Sequence, residues 1–336
     1  MLPKLRPLLV GAATFIPGMR RLLTAARESL GLGGSASARY CYSVWLRHVV
    51  TLAESGLWKY PQTVAELGPG DSLGIGLCAL LTGADSYYAF DVMRFASSGN
   101  NIAVFDELVA LFNSRAPIPN EQEFPEITPR ITSYDFPFAI FPNSHLDETL
   151  ATARMERIRA AVLTVGAGGT MISYEPNWHH ATARIPRFMD LIYSQAVLEH
   201  VADLEATYRV LNEWLAPEGV MSHSVDFRCH NMFSDWNGHW TVPEAIWKIV
   251  FGKRVYLLNR EPCSRHLQLL ASTNFQVLAV DKYYLASKVG PHDLAPRFKH
   301  IDAEDLTIAM ATIQAQRGPE GDARSGTLRA QISHNN

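Results

Sequence analysis

The chain has 336 residues, is 47% hydrophobic and 19% charged, and carries a formal net charge of −3 from 30 basic and 33 acidic side chains. That much apolar material excludes a disordered chain and suits one enlarged domain or about two ordinary ones. The charge balance argues against a globally basic nucleic-acid binder, and no nucleic-acid partner is expected. Cys41, Cys78, Cys229 and Cys263 form no Cys-x-x-Cys pair, which argues against a disulfide scaffold or a structural zinc and for a reducing cytoplasm.

Residues 1–37 read as a basic arm and linker. The uncharged run 7–19 lies between Lys4/Arg6 and Arg20/Arg21 and is interrupted by Pro17. It is shorter than the roughly 18 apolar residues of a spanning helix and carries no clear signal-peptide cleavage site. A partly helical surface arm is expected, with peripheral contact to an anionic membrane left open. After the breaker 31–37, helical spacing of Tyr42, Trp45, Leu46 and Val49 predicts a helix over 38–55. Placed after the hinge Gly33-Gly34, this helix is expected to close over whatever the domain binds. A strand at 63–67, a glycine turn and a helix at 73–81 follow. Then come a strand at 86–90 ending in Asp91, and a helix over 102–112. Residues 113–150 read as irregular, 148–165 as helical and 171–174 as a strand. A strand at 189–194 leads into a helix over 195–215, and Pro217-Glu-Gly219 reads as a turn. A strand at 220–225, a helix at 264–271 and strands at 275–280 and 307–314 complete the series, with a polar tail expected to be disordered over 317–336.

Strands alternating with helices predict an α/β fold, a mostly parallel sheet covered on both faces. Ligands of such sheets bind beyond the carboxyl ends of the strands, near the switch in strand order.

Val64-Ala-Glu66-Leu-Gly68-Pro-Gly70-Asp-Ser72 is a strand running into a glycine turn. Gly68 and Gly70 let the backbone approach a ligand closely, and the next helix begins with unpaired N–H groups. Asp91, at the end of the second strand, is placed to accept hydrogen bonds from ribose hydroxyls. These features together point to an adenosine-containing cofactor. The dinucleotide pattern G-x-G-x-x-G fails because position 73 is Leu, and no P-loop is present.

Glu66-Leu-Gly68-Pro-Gly70-Asp-Ser72 resembles the first motif of class I S-adenosylmethionine-dependent methyltransferases, with Asp91 where that family places its ribose-binding acid. Met189-Asp-Leu-Ile-Tyr-Ser194-Gln195-Ala-Val-Leu-Glu199-His200-Val looks like the family's fourth strand and the helix after it. Arg209-Val-Leu-Asn-Glu-Trp214-Leu-Ala-Pro217-Glu-Gly219 looks like the helix and turn before its fifth strand. The match covers roughly 65–225. About 80 residues separate Asp91 from the third strand, far more than in minimal members.

The resemblance implies a Rossmann-like seven-stranded sheet with helices on both faces and S-adenosyl-L-methionine as cofactor. The domain would span 38–316, with inserts at about 93–170 and 227–262. The roles it implies are Gly68 and Gly70 along the methionine part, Asp91 on the ribose, and Asn177 and Trp178 against adenine. Ser194 and Gln195 would stand at the cofactor–acceptor edge, and Glu66 would order the turn or the cofactor's amino group. The segment 40–47 also resembles, more loosely, methyltransferases of bacterial surface-polysaccharide and secondary-metabolite pathways.

A hydroxyl acceptor needs a base, and histidine is best matched to that task near neutral pH. His200, His223, His230 and His239 are candidates, with Asp226 as a carboxylate alternative. The segment after the fifth strand is favoured, with His223, Asp226 and His239 as the catalytic set. Strand alternation would point His223 and Asp226 apart if the strand ran on. Asp226, His230 and Asp235 can be imagined around a divalent ion, but their spacing is not diagnostic and no metal is expected. The absence of an Asn/Asp-Pro-Pro-Tyr/Phe stretch after the fourth strand argues against a base-nitrogen acceptor. O-methylation of a small-molecule or glycan acceptor is the leading reading. Its rivals are a non-catalytic adapter that retains the fold and, less favoured, a nicotinamide-dependent oxidoreductase.

Overall fold

A computed structural model describes residues 3–19, 35, 37–92, 96, 98–166, 171–176 and 188–319. Asn177, Trp178 and most of the 317–336 tail lie outside the described residues. The strands are β1 (Thr63–Leu67), β2 (Ser86–Asp91), β3 (Ile172–Pro176), β4 (Met189–Gln195), β5 (Leu215–Asp226), β6 (Phe275–Tyr284) and β7 (Ile308–Arg317). They form one seven-stranded sheet in the order β3-β2-β1-β4-β5-β7-β6. β3, β2, β1, β4 and β5 pair in parallel, and β7 runs antiparallel between β5 and β6. This is the Rossmann-like sheet that the resemblance implies. The order reverses at β1/β4, so the carboxyl ends of those strands border a crevice.

Alternation along each strand sends successive side chains to opposite faces. Val64, Tyr87, Ala89, Leu191 and Tyr193 pack on one face with α2 (Ala38–Glu54), α3 (Gly74–Leu81), α4 (Ser98–Asn113) and α6 (Thr152–Leu163). Ala65, Leu67, Phe90, Ile192 and Met221 pack on the other with α7 (Leu204–Trp214) and α9 (Cys263–Ser272).

α2 is a core element rather than a closing flap. Every side chain from Cys41 to Val49 is buried, because this helix spends its apolar stripe on the sheet and on α3. Its buried Arg47 reaches away from the sheet. The guanidinium donates to the carbonyls of Ile127 at 2.9 Å and Pro119 at 2.8 Å, tying the 114–142 segment to the helix. α5 (Asn143–Thr149) forms within the stretch read as irregular, and the helix expected over 148–165 is α6, which begins only at Thr152.

Two other expectations change at β4 and β5. The helix predicted over 195–215 is broken: Leu198–His200 form one 3₁₀ turn, and α7 begins only after Asp203, whose Oδ1 accepts Ala206 N at 2.9 Å. That capping bond satisfies an orphan N–H of the first turn and fixes where the helix can start. Pro217–Gly219 falls inside β5, where the register jumps from Met189↔Leu215 to Leu191↔Val220. The turn signal is thus realised as a bulge in a continuous strand. In the arm, α1 (Leu5–Ala13) packs against α8 (Glu244–Phe251). There is no room for a Cβ on Gly11, which would meet the Ile249 carbonyl at 2.1 Å.

Candidate functional site

Parallel register aligns the carboxyl ends of three strands. Leu67 pairs with both Phe90 and Ser194, so the next residues along each strand, Gly68, Asp91 and Gln195, stand side by side along one edge of the sheet. Gly68 and Gly70 have φ of +66° and +73°, a region L side chains rarely adopt. A Cβ on Gly68 would meet Val197 Cγ2 at 2.5 Å, so the segment after β4 lies directly on the turn. Gly68 N donates to Phe90 O at 2.8 Å, holding the turn against the end of β2. Asp91 is 5% exposed, and its Oδ1 accepts Val92 N at 2.7 Å. A glycine cradle beside a carboxylate fits the ribose and methionine parts of the expected cofactor. Ser72 ties the turn to the segment before α2. Its hydroxyl donates to Ser35 O, and its N–H donates to Ser35 Oγ at 3.2 Å.

Glu66 has partners of its own. It is buried, and Oε2 accepts the hydroxyls of Tyr87 at 2.5 Å and Tyr193 at 2.9 Å. Burial pushes its carboxyl up to about 7 despite those hydrogen bonds. Tyr87 reaches Glu66 because position 76 is glycine; a Cβ there would fall 2.0 Å from the ring.

Ser194 and Gln195 connect to β5 and α2. Ser194 Oγ is 2.8 Å from Nδ1 of His223, its direct cross-strand partner, and His223 is 2% exposed. Gln195 Oε1 is 3.3 Å from His48 Nε2, and His48 Nδ1 is 2.7 Å from Ser222 Oγ. Thr128 and Ser224 share a hydrogen bond of 2.6 Å, which brings the segment between α4 and α5 onto the same edge. Burial pulls His48 down to about 4 and His223 to about 3, so both rings are neutral at physiological pH. Nε2 of His223 has no hydrogen-bond partner among the described residues.

Asp226 ends β5 with its carboxylate held by Arg228 Nε at 2.8 Å, Arg228 Nη2 at 2.7 Å and His230 Nε2 at 3.2 Å. Burial opposes its charge, but His230 and Arg228 outweigh it and hold the carboxyl well below the usual range. Arg228 also reaches Glu126, joining the segment after β5 to the one between α4 and α5. His239 is 1% exposed in the turn Gly238–Thr241, packed on Trp240 at 4.8 Å between ring centroids. Burial and the neighbouring Arg260 pull it down to about 3. Of the expected catalytic set, His223 is hydrogen-bonded to Ser194 across β4 and β5, Asp226 is ion-paired, and His239 is buried beside Trp240 and Arg260.

His48 is the residue that sequence reasoning misses. It lies within the helix predicted over 38–55 but outside its apolar stripe, and its polar partners Gln195 and Ser222 come from β4 and β5. Glu199 likewise enters the sequence reading only as part of the β4 block.

No protein-family model matches the chain, and no curated protein matches it. Solved structures share its chain path at low identity. An S-adenosylmethionine-dependent methyltransferase from Mesorhizobium loti aligns at 14% identity and TM-score 0.34, covering 79% of this chain and 96% of its own. Phosphoethanolamine N-methyltransferase 2 of Haemonchus contortus, in complex with phosphomonomethylethanolamine and S-adenosylhomocysteine, aligns at 12% identity and TM-score 0.43. It covers 91% of this chain and 61% of its own. The CurJ carbon methyltransferase aligns at 14% identity and TM-score 0.37, covering 90% of this chain and 60% of its own.

Proposed function

We propose that this chain is an S-adenosylmethionine-dependent methyltransferase acting on a small-molecule or glycan acceptor, most simply at a hydroxyl. The observation that carries the reading is the left-handed Gly68/Gly70 turn set beside Asp91 at the switch point of the sheet. When bound, the cofactor supplies a sulfonium methyl, already electrophilic, so the chain's task is to hold the acceptor in line and exclude water. Gly68 and Gly70 would admit the methionine part and Asp91 would hold the ribose; the resemblance assigns adenine to Asn177 and Trp178, which lie outside the described residues. Ser194 and Gln195 form the border with the acceptor, and Glu66 braces the turn through Tyr87 and Tyr193.

For a hydroxyl acceptor the base is sought in His223, Asp226 and His239. Geometry favours His223, with one nitrogen oriented by Ser194 and the other without a partner among the described residues, while burial makes its ring a weaker base than an ordinary histidine. The inserts at about 93–170 and 227–262 would cover the acceptor, a reading supported by the Arg228–Glu126 pair and the Thr128–Ser224 bond. The catalytic unit would be 38–316. Four buried thiols without disulfides suit a cytoplasmic protein. No helix among the described residues is long and apolar enough to cross a membrane. Exposed Leu5, Leu9, Phe15 and Ile16 support peripheral contact by the arm. Surface-polysaccharide biosynthesis is the pathway class we favour.

The test is calorimetry with S-adenosylmethionine, S-adenosylhomocysteine and NAD, followed by mass spectrometry of glycans and metabolites incubated with methyl-labelled cofactor. Micromolar or tighter binding of the sulfur nucleosides is expected, on the order of −8 kcal/mol. Asp91→Ala should lose roughly 1.5–3 kcal/mol per ribose hydrogen bond. Selective binding of NAD, or binding without transfer to any acceptor, would reverse the reading toward an oxidoreductase or an adapter.

A further inference from the structure

Immediately after β4, the 3₁₀ turn Leu198–His200 presents Glu199 and His200 toward His230 from the segment beyond β5. One ligand atom from each of the three residues lies within 4.8 Å of the others. Glu199 is 3% exposed, and neither of its carboxylate oxygens has a hydrogen-bond partner among the described residues. Burial, with Asp226 close by, pushes this carboxyl well up, so its anion is costly here unless something positive meets it. Arg228, the nearby cation, is already committed to Asp226 and Glu126.

We propose that Glu199, His200 and His230 form a binding site for a divalent transition-metal ion, with zinc as the first choice. Two imidazoles and one carboxylate are a borderline-soft set that suits zinc and leaves a position open to an outside oxygen. Bonds of about 2.0–2.2 Å to a tetrahedral ion bring ligand atoms to roughly 3.4 Å apart, so the side chains close by an ångström or so on binding.

The surroundings are built for the purpose. His230 Nε2 stands 3.2 Å from Asp226 Oδ2. Donating that proton leaves Nδ1 with its lone pair, the arrangement in which a carboxylate orients a metal-binding imidazole. The turn under Glu199 and His200 is fixed by Asn259. Its Nδ2 donates to Leu198 O at 2.7 Å and Val201 O at 2.9 Å, and its N–H donates to Glu199 O at 2.7 Å. Val197, at the head of the same segment, is the residue that lies on Gly68. The site therefore sits between the glycine turn and the end of β5, where it would offer its open position to an oxygen of the acceptor. The ion binding stands on the cluster alone; its use by an acceptor rests on the reading of the chain as a methyltransferase.

The test begins with chelator-stripped full-length protein. Zinc is titrated by calorimetry, and cobalt(II) is added as a spectroscopic stand-in. About one ion per chain and visible cobalt bands of a low-coordinate site are expected. Glu199→Gln keeps the side chain's shape, and His230→Ala alters a half-exposed residue, so circular dichroism should show both folded. Each should weaken zinc at least about tenfold and bleach the cobalt bands. Binding of S-adenosylhomocysteine should not change, which separates this site from the cofactor reading. Wild-type protein that takes up no stoichiometric zinc, or variants that bind it as tightly as wild type, would overturn the proposal.

Discussion

Ser194 and His223 face each other across adjacent parallel strands, Oγ to Nδ1 at 2.8 Å, with His223 almost wholly buried. The hydroxyl fixes the ring's orientation. If His223 acts as the base, His223→Ala should lower turnover by about 10²- to 10⁴-fold and leave S-adenosylhomocysteine binding intact. Because burial holds the ring near 3, its free-enzyme limb in a kcat/KM profile should stay flat well below the pH 6.5 of an ordinary histidine. A limb falling at pH 6.5 would assign the base to another group.

Gly68 combines a positive φ with contact to Val197, so Gly68→Ala meets both backbone strain and a steric clash. We expect a loss of about 1–3 kcal/mol in stability and weaker cofactor binding. Adding Val197→Ala should recover part of both, because it removes the clash and leaves the strain. Urea unfolding and calorimetry on the single and double variants check this; no recovery would mean that φ alone decides.

His48, His223, His239 and His266 are buried and neutral, His48 pulled to about 4 and the others to about 3. Their folded values lie below the ordinary 6.5, so the stability they contribute is complete above pH 6.5 and is lost as pH falls. Each contributes a slope of up to about 1.4 kcal/mol per pH unit. Urea midpoints should drop steeply from pH 7 to pH 5. His266→Phe, which also breaks the 2.8 Å bond to Tyr208, should shallow that slope. An unchanged slope would show that His266 is not among the groups responsible.

Glu66 works in the opposite direction. Its folded value is raised from 4.5 to about 7, so its contribution is complete below pH 4.5 and is lost as pH rises through 7. The loss is on the order of 3 kcal/mol. Glu66→Gln keeps an acceptor for Tyr87 and Tyr193 and removes the titration. The stability of wild type relative to this variant should therefore fall between pH 5 and pH 8. Parallel curves would show that Glu66 is not titrating there. Below pH 6.5 the four histidines outweigh this single carboxyl.

Arg47 links α2 to the 114–142 segment through three backbone carbonyls, those of Pro119, Ile127 and Pro129. Arg47→Met keeps most of the bulk and leaves those carbonyls without their donor. A loss of about 2–4 kcal/mol is expected, with earlier proteolysis within 114–142 than elsewhere. Hydrogen exchange over 41–49 should be slow with or without S-adenosylhomocysteine, as befits a core helix. Cofactor-dependent protection of that stretch would restore the closing-flap reading.

The sequence by itself determined the alternation of strands and helices, the glycine turn, and Asp91 at the end of β2. Those signals are local: period-two and period-3.6 patterns, and glycines whose positive φ other residues resist. It also marked His200, His223 and His230 as chemically interesting without saying what they meet. Only the tertiary structure decided that α2 is core, that one helix after β4 is a 3₁₀ turn and a capped helix, and that Pro217–Gly219 is a bulge. Only it could bring His48 to Ser222, 174 residues away, or set Glu199 and His200 opposite His230. The reason is physical. A buried polar side chain is defined by the partner that satisfies it, and here those partners come from other strands and from segments far along the chain.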